Sequence, residues 1–310
     1  MKTIYVAITA YNEPYLKTTI ENCLDMAKYP DRVHFGICSH YNDGNQPNLD
    51  MKNIKSMDVY HNSMMGVGQG RMNALAFYDN EDYILQLDSH MFFQRNWDEI
   101  IIDFYERIKS ENGKSVITTY VPWWSPNEDG SINFYDPDDT HTFSGQMSYN
   151  KEYFNEQYPK FEIKRSGFRY SDYEQHFGFS AHFFFAEPQF LEEIMPDPLL
   201  TFGGEEQTTA MRLSTRGYKI FAIGQPVVWH RNKGHGVLYE NDRLKLGGQG
   251  NQNSFALFNR KNHRSLIRAK KILTGEILGY WGAPTLKALQ KYELDANIDF
   301  KEFYSNVEGL

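Results

Sequence analysis

A chain of 310 residues, 41% hydrophobic and 23% charged, reads as a soluble globular protein of one large or two small domains, and a formal charge of −8 argues against a general polyanion binder. Only two cysteines occur, Cys23 and Cys38, too few for a disulfide framework and in keeping with a reducing compartment, so a cytoplasmic location is expected. No apolar run approaches the roughly 18 to 20 residues of a spanning helix, and MKTIYVAITAYNEP reads as a strand with early polar interruption, so neither export nor membrane insertion is expected.

The first 120 residues alternate short apolar runs with helical-length amphipathic segments, the pattern of a βαβ sheet. TIYVAIT (3 to 9) is a strand, and a helix starts near Pro14 and runs towards Ala27. VHFGIC (33 to 38) is a second strand, followed by the polar loop SHYNDGNQPN, whose turn chemistry suits ligand contact. MDVYHN (57 to 62) is a weaker strand, GVGQGRMNALAFYDN (66 to 80) a glycine-led helix, and DYILQLDSH (82 to 90) the best buried strand of the chain. A helix over 97 to 110 and a strand over 115 to 121 follow. The texture then turns aromatic and proline-rich, as acceptor-side or lid structure laid over the sheet would be. FSAHFFFAEP (179 to 188) returns to a strand, EEQTTAMRLSTRGY (205 to 218) is a helix ended by Gly217, and KIFAIGQPVVWH (219 to 230) reads as one or two strands. From Asn251 onward the chain is helical and basic. The parse is an α/β mixed sheet with helices on both faces over residues 1 to 250, divided into a ligand-binding half (1 to 122) and an acceptor-side half (123 to 250), with a helical extension over 251 to 310.

Chemistry concentrates at strand ends. Asp88 and His90 lie two apart at the end of the strongest strand, where period-two alternation points both to one side. A carboxylate and an imidazole there suit manganese, or magnesium less well, and leave positions for an outside ligand such as a diphosphate. The plainer reading makes Asp88 a cap and His90 a polar strand end. His230 ends PVVWH and offers a third ligand, with His235 competing for the role. In TFGGEEQTTAMRL, Gly203 and Gly204 permit close backbone approach to a ligand, and Glu205 and Glu206 begin a helix. Those two carboxylates are either favourable first-turn charges or catalytic groups that bind an acceptor hydroxyl and steady a cationic sugar. Thr9, Tyr11, Asn12 and Glu13 fall in the loop after the first strand, where open α/β sheets bind ligands, and GVGQGR offers backbone N–H groups and Arg71 to a phosphate or nucleobase edge.

The ordered set AYNEP, a glycine-arginine helix start, LDSH, GGEE and a late VWH resembles GT-A glycosyltransferases. LDSH and GGE are similar to motifs of the polypeptide N-acetylgalactosaminyltransferases. The resemblance is closer to glycosyltransferase family 60, cytosolic N-acetylglucosaminyltransferases acting on hydroxyproline of a target protein. It extends over AITAYNEPYLKTTIENCLDMAKYPDRVHFGIC, LQLDSHMFFQRNWDE, PDPLLTFGGEEQTTAMRLSTRGYKIFA and GYWGAPTLKALQKYELDANIDF. It implies a Rossmann-like nucleotide-sugar-binding fold and a retaining transfer, from a UDP-sugar, of a sugar such as GlcNAc. Asp88, His90 and His230 would be the metal ligands, Thr9, Ala10 and Tyr11 the uridine pocket, Arg71 a neighbour of the nucleotide, and Glu205 a neighbour of the acceptor. Asp43 matches the nucleotide-contacting aspartate loosely, and Gly70 stands where the family pattern has alanine.

Three other readings compete with this one. A phage-type DNA glycosyltransferase acting on hydroxymethylated bases would run RKNHRSLIRAKK along a phosphate backbone, although a basic helix is more often a solvated face. A non-enzymatic sugar-binding module would stack sugars on the Trp and Tyr residues of PWWSPNEDGSINFYDP, and a metal-dependent hydrolase would lack both HExxH and a second ligand cluster. The acceptor is accordingly a protein or small molecule, or DNA.

Overall fold

The computed structural model describes residues 2–41, 48–49, 51, 53–60, 66–134, 145–149, 159, 161–165, 171–231, 252–305 and 307. Along these run strands β1 (Ile4–Tyr11), β2 (Val33–Tyr41), β3 (Ile54–Tyr60), β4 (Tyr83–Asp88), β5 (Met91–Phe93), β6 (Ser115–Thr118) and β7 (Trp123–Pro126). They continue with β8 (Ile132–Phe134), β9 (Gly145–Tyr149), β10 (Phe161–Arg165), β11 (Tyr173–His176), β12 (Phe183–Ala186), β13 (Lys219–Ile223) and β14 (Val228–Arg231). The helices are α1 (Leu16–Met26), α2 (Val67–Leu75), α3 (Trp97–Asn112), α4 (Phe190–Glu193), α5 (Glu205–Thr215), α6 (Gln252–Leu273), α7 (Leu286–Asp295) and α8 (Phe300–Ser305).

Eight strands form the main sheet in the order β11-β13-β6-β12-β4-β1-β2-β3. The β3-β2-β1-β4 half is parallel throughout, as alternation with helices requires, and β6 and β13 are parallel to each other. Strand β12 runs antiparallel to both β4 and β6, and β11 antiparallel to β13, so the sheet is mixed. Period-two alternation supplies both faces with apolar side chains. Ile4, Val6, Ile8, Leu85 and Leu87 pack with α1 and α3, through Leu16, Ile20, Trp97 and Ile101. Tyr5, Ala7 and Ile84 pack on the other face with Ala74 and Leu75 of α2 and Ala210 and Leu213 of α5. A third cluster joins Met211 of α5 to Ile272, Leu289, Tyr292, Phe300 and Phe303 of α6, α7 and α8, so the C-terminal helices rest on the outer side of α5.

Where the structure departs from the sequence expectations, hydrogen-bond partners explain it. The expected strand over 82 to 90 leaves the main sheet at Asp88, bends through Ser89 and His90, and re-emerges as β5 in a second sheet of order β5-β14-β7-β8. The expected run over 219 to 230 divides likewise, β13 staying in the main sheet and β14 joining the second. The strand expected over 115 to 121 ends at Thr118, whose hydroxyl bonds the carbonyls of Ser180 and Phe183, and the strand expected over 179 to 188 is confined to β12. The two small-sheet strands β7 and β8 and the β9–β10 hairpin lie in the aromatic middle, where no strand was expected.

Candidate active site

Two crossings of the chain between the sheets build the site. Thr19 of α1 pins the bend after Asp88: its hydroxyl donates to the Ser89 carbonyl (3.1 Å) and accepts from the Met91 N–H (2.9 Å). The His90 carbonyl accepts from Trp124 Nε1 (3.1 Å) and from the Arg231 N–H (3.2 Å). Antiparallel pairing of β5 with β14 sets His230 opposite Met91, and thereby beside His90.

The convergence is tight. His90 Nε2 is 2.9 Å from His230 Nε2, which is 3.4 Å from Asp88 Oδ2, and one ligand atom from each of the three residues lies within 4.8 Å of the others. On its far side His90 places Nδ1 2.9 Å from Glu13 Oε2, a pair almost sealed from solvent. A carboxylate accepts only an N–H, so Nδ1 carries the proton and Nε2 is left as a lone pair facing the second imidazole nitrogen. Two such nitrogens and a carboxylate oxygen aimed at one point fit a divalent cation. Burial alone would raise the Asp88 carboxyl, but its hydrogen bond with His230 and the neighbouring Arg71 charge outweigh burial and hold it well below the usual carboxylate range.

Beside this triad, Arg71 of α2 is buried with its fork spread over three partners. Nη2 is 3.2 Å from Asp88 Oδ1, Nε is 2.9 Å from Glu205 Oε1, and Nη1 donates to the Ala181 carbonyl, which also accepts from Gln86 Nε2 (3.0 Å). Glu206 turns to the neighbouring peptide group, its Oε1 accepting the Ala181 N–H at 3.0 Å. The paired carboxylates thus part company, Glu205 joining the Arg71 and Asp88 chain and Glu206 bracing the backbone behind it. Burial raises both: Glu205 is partly drawn back by Arg71, whereas Glu206 is pushed up to about 7.

The remaining expected residues take varied places. Thr9 is opposite Asp88 in the β1–β4 register, and its hydroxyl is buried with no hydrogen-bond partner among the described residues. Ala10 belongs to the core, Tyr11 is 36% exposed and packs edge-on to His40, and Asn12 takes a left-handed turn with φ 44° and donates its N–H to the His40 carbonyl. Glu13, expected with the nucleotide-binding loop, is turned onto His90. The glycine run GVGQGR, expected to offer N–H groups to a phosphate, commits Val67 N–H to Thr201 O (2.8 Å) and Gly68 N–H to Leu200 O (3.1 Å). A Cβ at Gly70 would meet Thr9 Cγ2 at 2.4 Å, which is why this position holds glycine rather than alanine. Gly203 and Gly204, expected to approach a ligand, approach α6 instead. Gly203 N–H donates to Asn262 Oδ1 (3.1 Å), its carbonyl accepts from Ser265 Oγ (3.0 Å), and a Cβ at Gly204 would meet Ala269 Cβ at 2.3 Å. Asp43 and His235 lie outside the described residues. Arg268 of the basic helix is committed to Asp197, Nε to Oδ2 at 2.7 Å.

Sequence reasoning missed His182, which precedes β12 and is buried beside His230, their ring centroids 4.8 Å apart. Its signal was a histidine interrupting an aromatic strand in FSAHFFFAEP.

The mixed α/β sheet, with a carboxylate and two histidines gathered at the carboxyl end of β4, has the GT-A fold. A family profile described as Glycosyltransferase (GlcNAc) matches residues 3–67 and 48–288, and the chain belongs to that family. Among solved structures, the crystal structure of GalNAc-T7 with UDP, GalNAc and Mn2+ is similar at a TM-score of 0.55 and 14% identity, over 98% of this chain and 57% of that one. The chain therefore spans little more than half the length of that relative. A structure of S. aureus TarS 1-349 aligns over 99% of this chain and 81% of its own at a TM-score of 0.45 and 14% identity. No curated protein sequence matches the chain. Among the described residues, no helix is long and apolar enough to cross a membrane.

Proposed function

We propose that the protein transfers a sugar, N-acetylglucosamine, with retention of configuration, from a UDP donor to a hydroxyl of a protein or small molecule, using a divalent cation, manganese before magnesium, held by Asp88, His90 and His230. The observation that carries the proposal is the pair of imidazole Nε2 atoms 2.9 Å apart, next to a carboxylate, at the carboxyl end of β4. The family description names GlcNAc, and GalNAc-T7, a protein of the same fold, was crystallised with UDP and Mn2+. Both support this donor chemistry, as does the likeness of LDSH and GGEE to family 60.

A cation bound there supplies charge neutralisation at the departing diphosphate. Asp88, its carboxyl kept ionised by its hydrogen bond with His230 and by the Arg71 charge, presents a full negative charge to it. The unpartnered Thr9 hydroxyl, one strand away, is a ready contact for the nucleotide side. Tyr11 and Asn12 continue that edge. Glu205 is held by Arg71 where it accepts a hydrogen bond from the acceptor hydroxyl and steadies positive charge on the sugar ring. Attack on the same face follows: the C1–O bond to the diphosphate breaks, the acceptor oxygen bonds C1, and the acceptor proton leaves with UDP on a diphosphate oxygen. We assign residues 1 to 250 to the catalytic unit and 251 to 310 to a helical extension that braces it through Gly203 and Gly204. Cys23 and Cys38 are both free and sit on opposite faces of the sheet, in keeping with a cytosolic setting. Arg268, one of the basic residues in the run on which the DNA reading drew, is committed to Asp197.

The test is UDP release by the purified protein against a panel of UDP-sugars with manganese, with and without a chelator, and with Asp88→Ala. Turnover of UDP-GlcNAc that disappears with the chelator and in the variant is expected. Turnover indifferent to both removes the metal-dependent reading, and no response to any UDP-sugar removes the donor class.

A further inference from the structure

The two histidines of the triad are supported unequally. His90 has a carboxylate behind it to fix its tautomer and tilt, whereas His230 Nδ1 makes no hydrogen bond to any described residue. Its ring is instead wedged between two others. The His90 ring lies 4.6 Å away at 65° and the His182 ring 4.8 Å away at 44°, and His182 is backed in turn by Tyr120, 4.7 Å away at 85°.

We propose that His182 is a positioning residue for the metal site, its ring fixing the His230 imidazole in the orientation that aims Nε2 at the cation. This rests on the metal reading above. His182 is itself immobilised at three points. Its Nε2 accepts the Val121 N–H at 3.4 Å, Ser180 Oγ lies 2.7 Å from its Nδ1, and its carbonyl accepts the Asp88 N–H at 3.3 Å. With Nε2 turned to the backbone, the ring offers its surface to His230 and not a ligand atom to the cation. The backbone link to Asp88 ties the wedge to the strand end that carries the first ligand. Aromatic packing of this kind sets ring orientation at a separation where offset and edge contacts are favourable.

Two variants separate the ring from its nitrogen. His182→Phe keeps a flat ring against His230 and cannot accept the Val121 N–H; His182→Gln keeps an acceptor and has no ring. Mn2+ binding to the full chain is read from the free-Mn2+ electron paramagnetic resonance signal, with thermal unfolding of the metal-free proteins alongside. His182→Phe should unfold at lower temperature yet bind Mn2+ near the wild-type affinity, while His182→Gln should lose affinity by about 10–100-fold. Nitrogen modulation from two imidazoles in the pulsed spectrum should persist in the first and weaken in the second. Wild-type affinity in His182→Gln, or equal losses in both variants, overturns the proposal. If wild-type protein binds no Mn2+, or Asp88→Ala binds it as well as wild type, the metal reading itself fails and this inference falls with it.

Discussion

Glu13→Gln is the sharpest perturbation of the site, because it preserves size and removes only the reason for one proton's position. In the wild type the Glu13 carboxylate receives the His90 Nδ1–H at 2.9 Å, with both side chains below a tenth exposed. The amide of glutamine can turn its NH2 to Nδ1, and that favours the tautomer with hydrogen on Nε2, the atom aimed at His230 and the cation. A buried hydrogen bond to a charged group is worth about 1.5–3 kcal/mol. Loss of that preference converts to about 10–100-fold in metal affinity at 1.4 kcal/mol per decade. The assay is a Mn2+ titration of wild type and variant followed by chelator competition, with metal-free thermal unfolding as the control for folding. A Glu13→Gln protein that binds Mn2+ as tightly as wild type would show that the tautomer is fixed elsewhere and would refute the argument that His90 Nε2 is a prepared lone pair.

Gly204→Ala should destabilise by about 2–4 kcal/mol, since φ is +86° and the added Cβ would press on Ala269; chemical denaturation measures it. Arg71→Lys should lower kcat/KM by more than tenfold, because an ammonium cannot span Asp88, Glu205 and the Ala181 carbonyl together; steady-state UDP release reads the loss. Glu206 holds its proton more tightly in the folded protein, so its contribution to stability is complete below its ordinary value of 4.5 and is lost as pH rises through about 7. Glu206→Gln, which keeps an acceptor for the Ala181 N–H, should flatten the fall in unfolding free energy over that window, and an unchanged slope would place the titration on another group.

Much of the fold was legible because its elements carry their own local signals. The β1, β2 and β4 strands are short runs of buried apolar residues, α3 has the helical spacing of Trp97, Ile101, Phe104 and Ile108, and α5 is stopped by Gly217 at φ +83°. The second sheet was not legible, since β5 and β7 are three or four residues long and each is held by a partner from a distant part of the sequence. The glycines misled for a related reason. Gly66, Gly68, Gly203 and Gly204 look like a ligand cradle in one dimension, but Gly66 and Gly68 admit the backbone of residues 197–201, and Gly203 and Gly204 meet the Asn262, Ser265 and Ala269 side chains of α6.

Asp88 and His90 do come together, but by a geometry other than the one their spacing implies. Alternation along a strand would put both on one side, but the strand stops at Asp88, and His90 faces the same point because the chain bends and changes sheets between them. The bend is what allows His230 to join, since only a strand that has left the main sheet can pair with β14, and β14 carries His230 next to His90. Thr19, Trp124 and Glu13 hold that bend or its product through hydrogen bonds of 2.9–3.1 Å. They come from two other stretches of the chain, residues 13–19 and β7, and no spacing within LDSH could announce them. The triad is therefore a property of the junction between two sheets, and on the proposed metal reading substitutions that loosen the junction at Thr19 or Trp124 should weaken metal affinity while leaving Asp88, His90 and His230 unsubstituted.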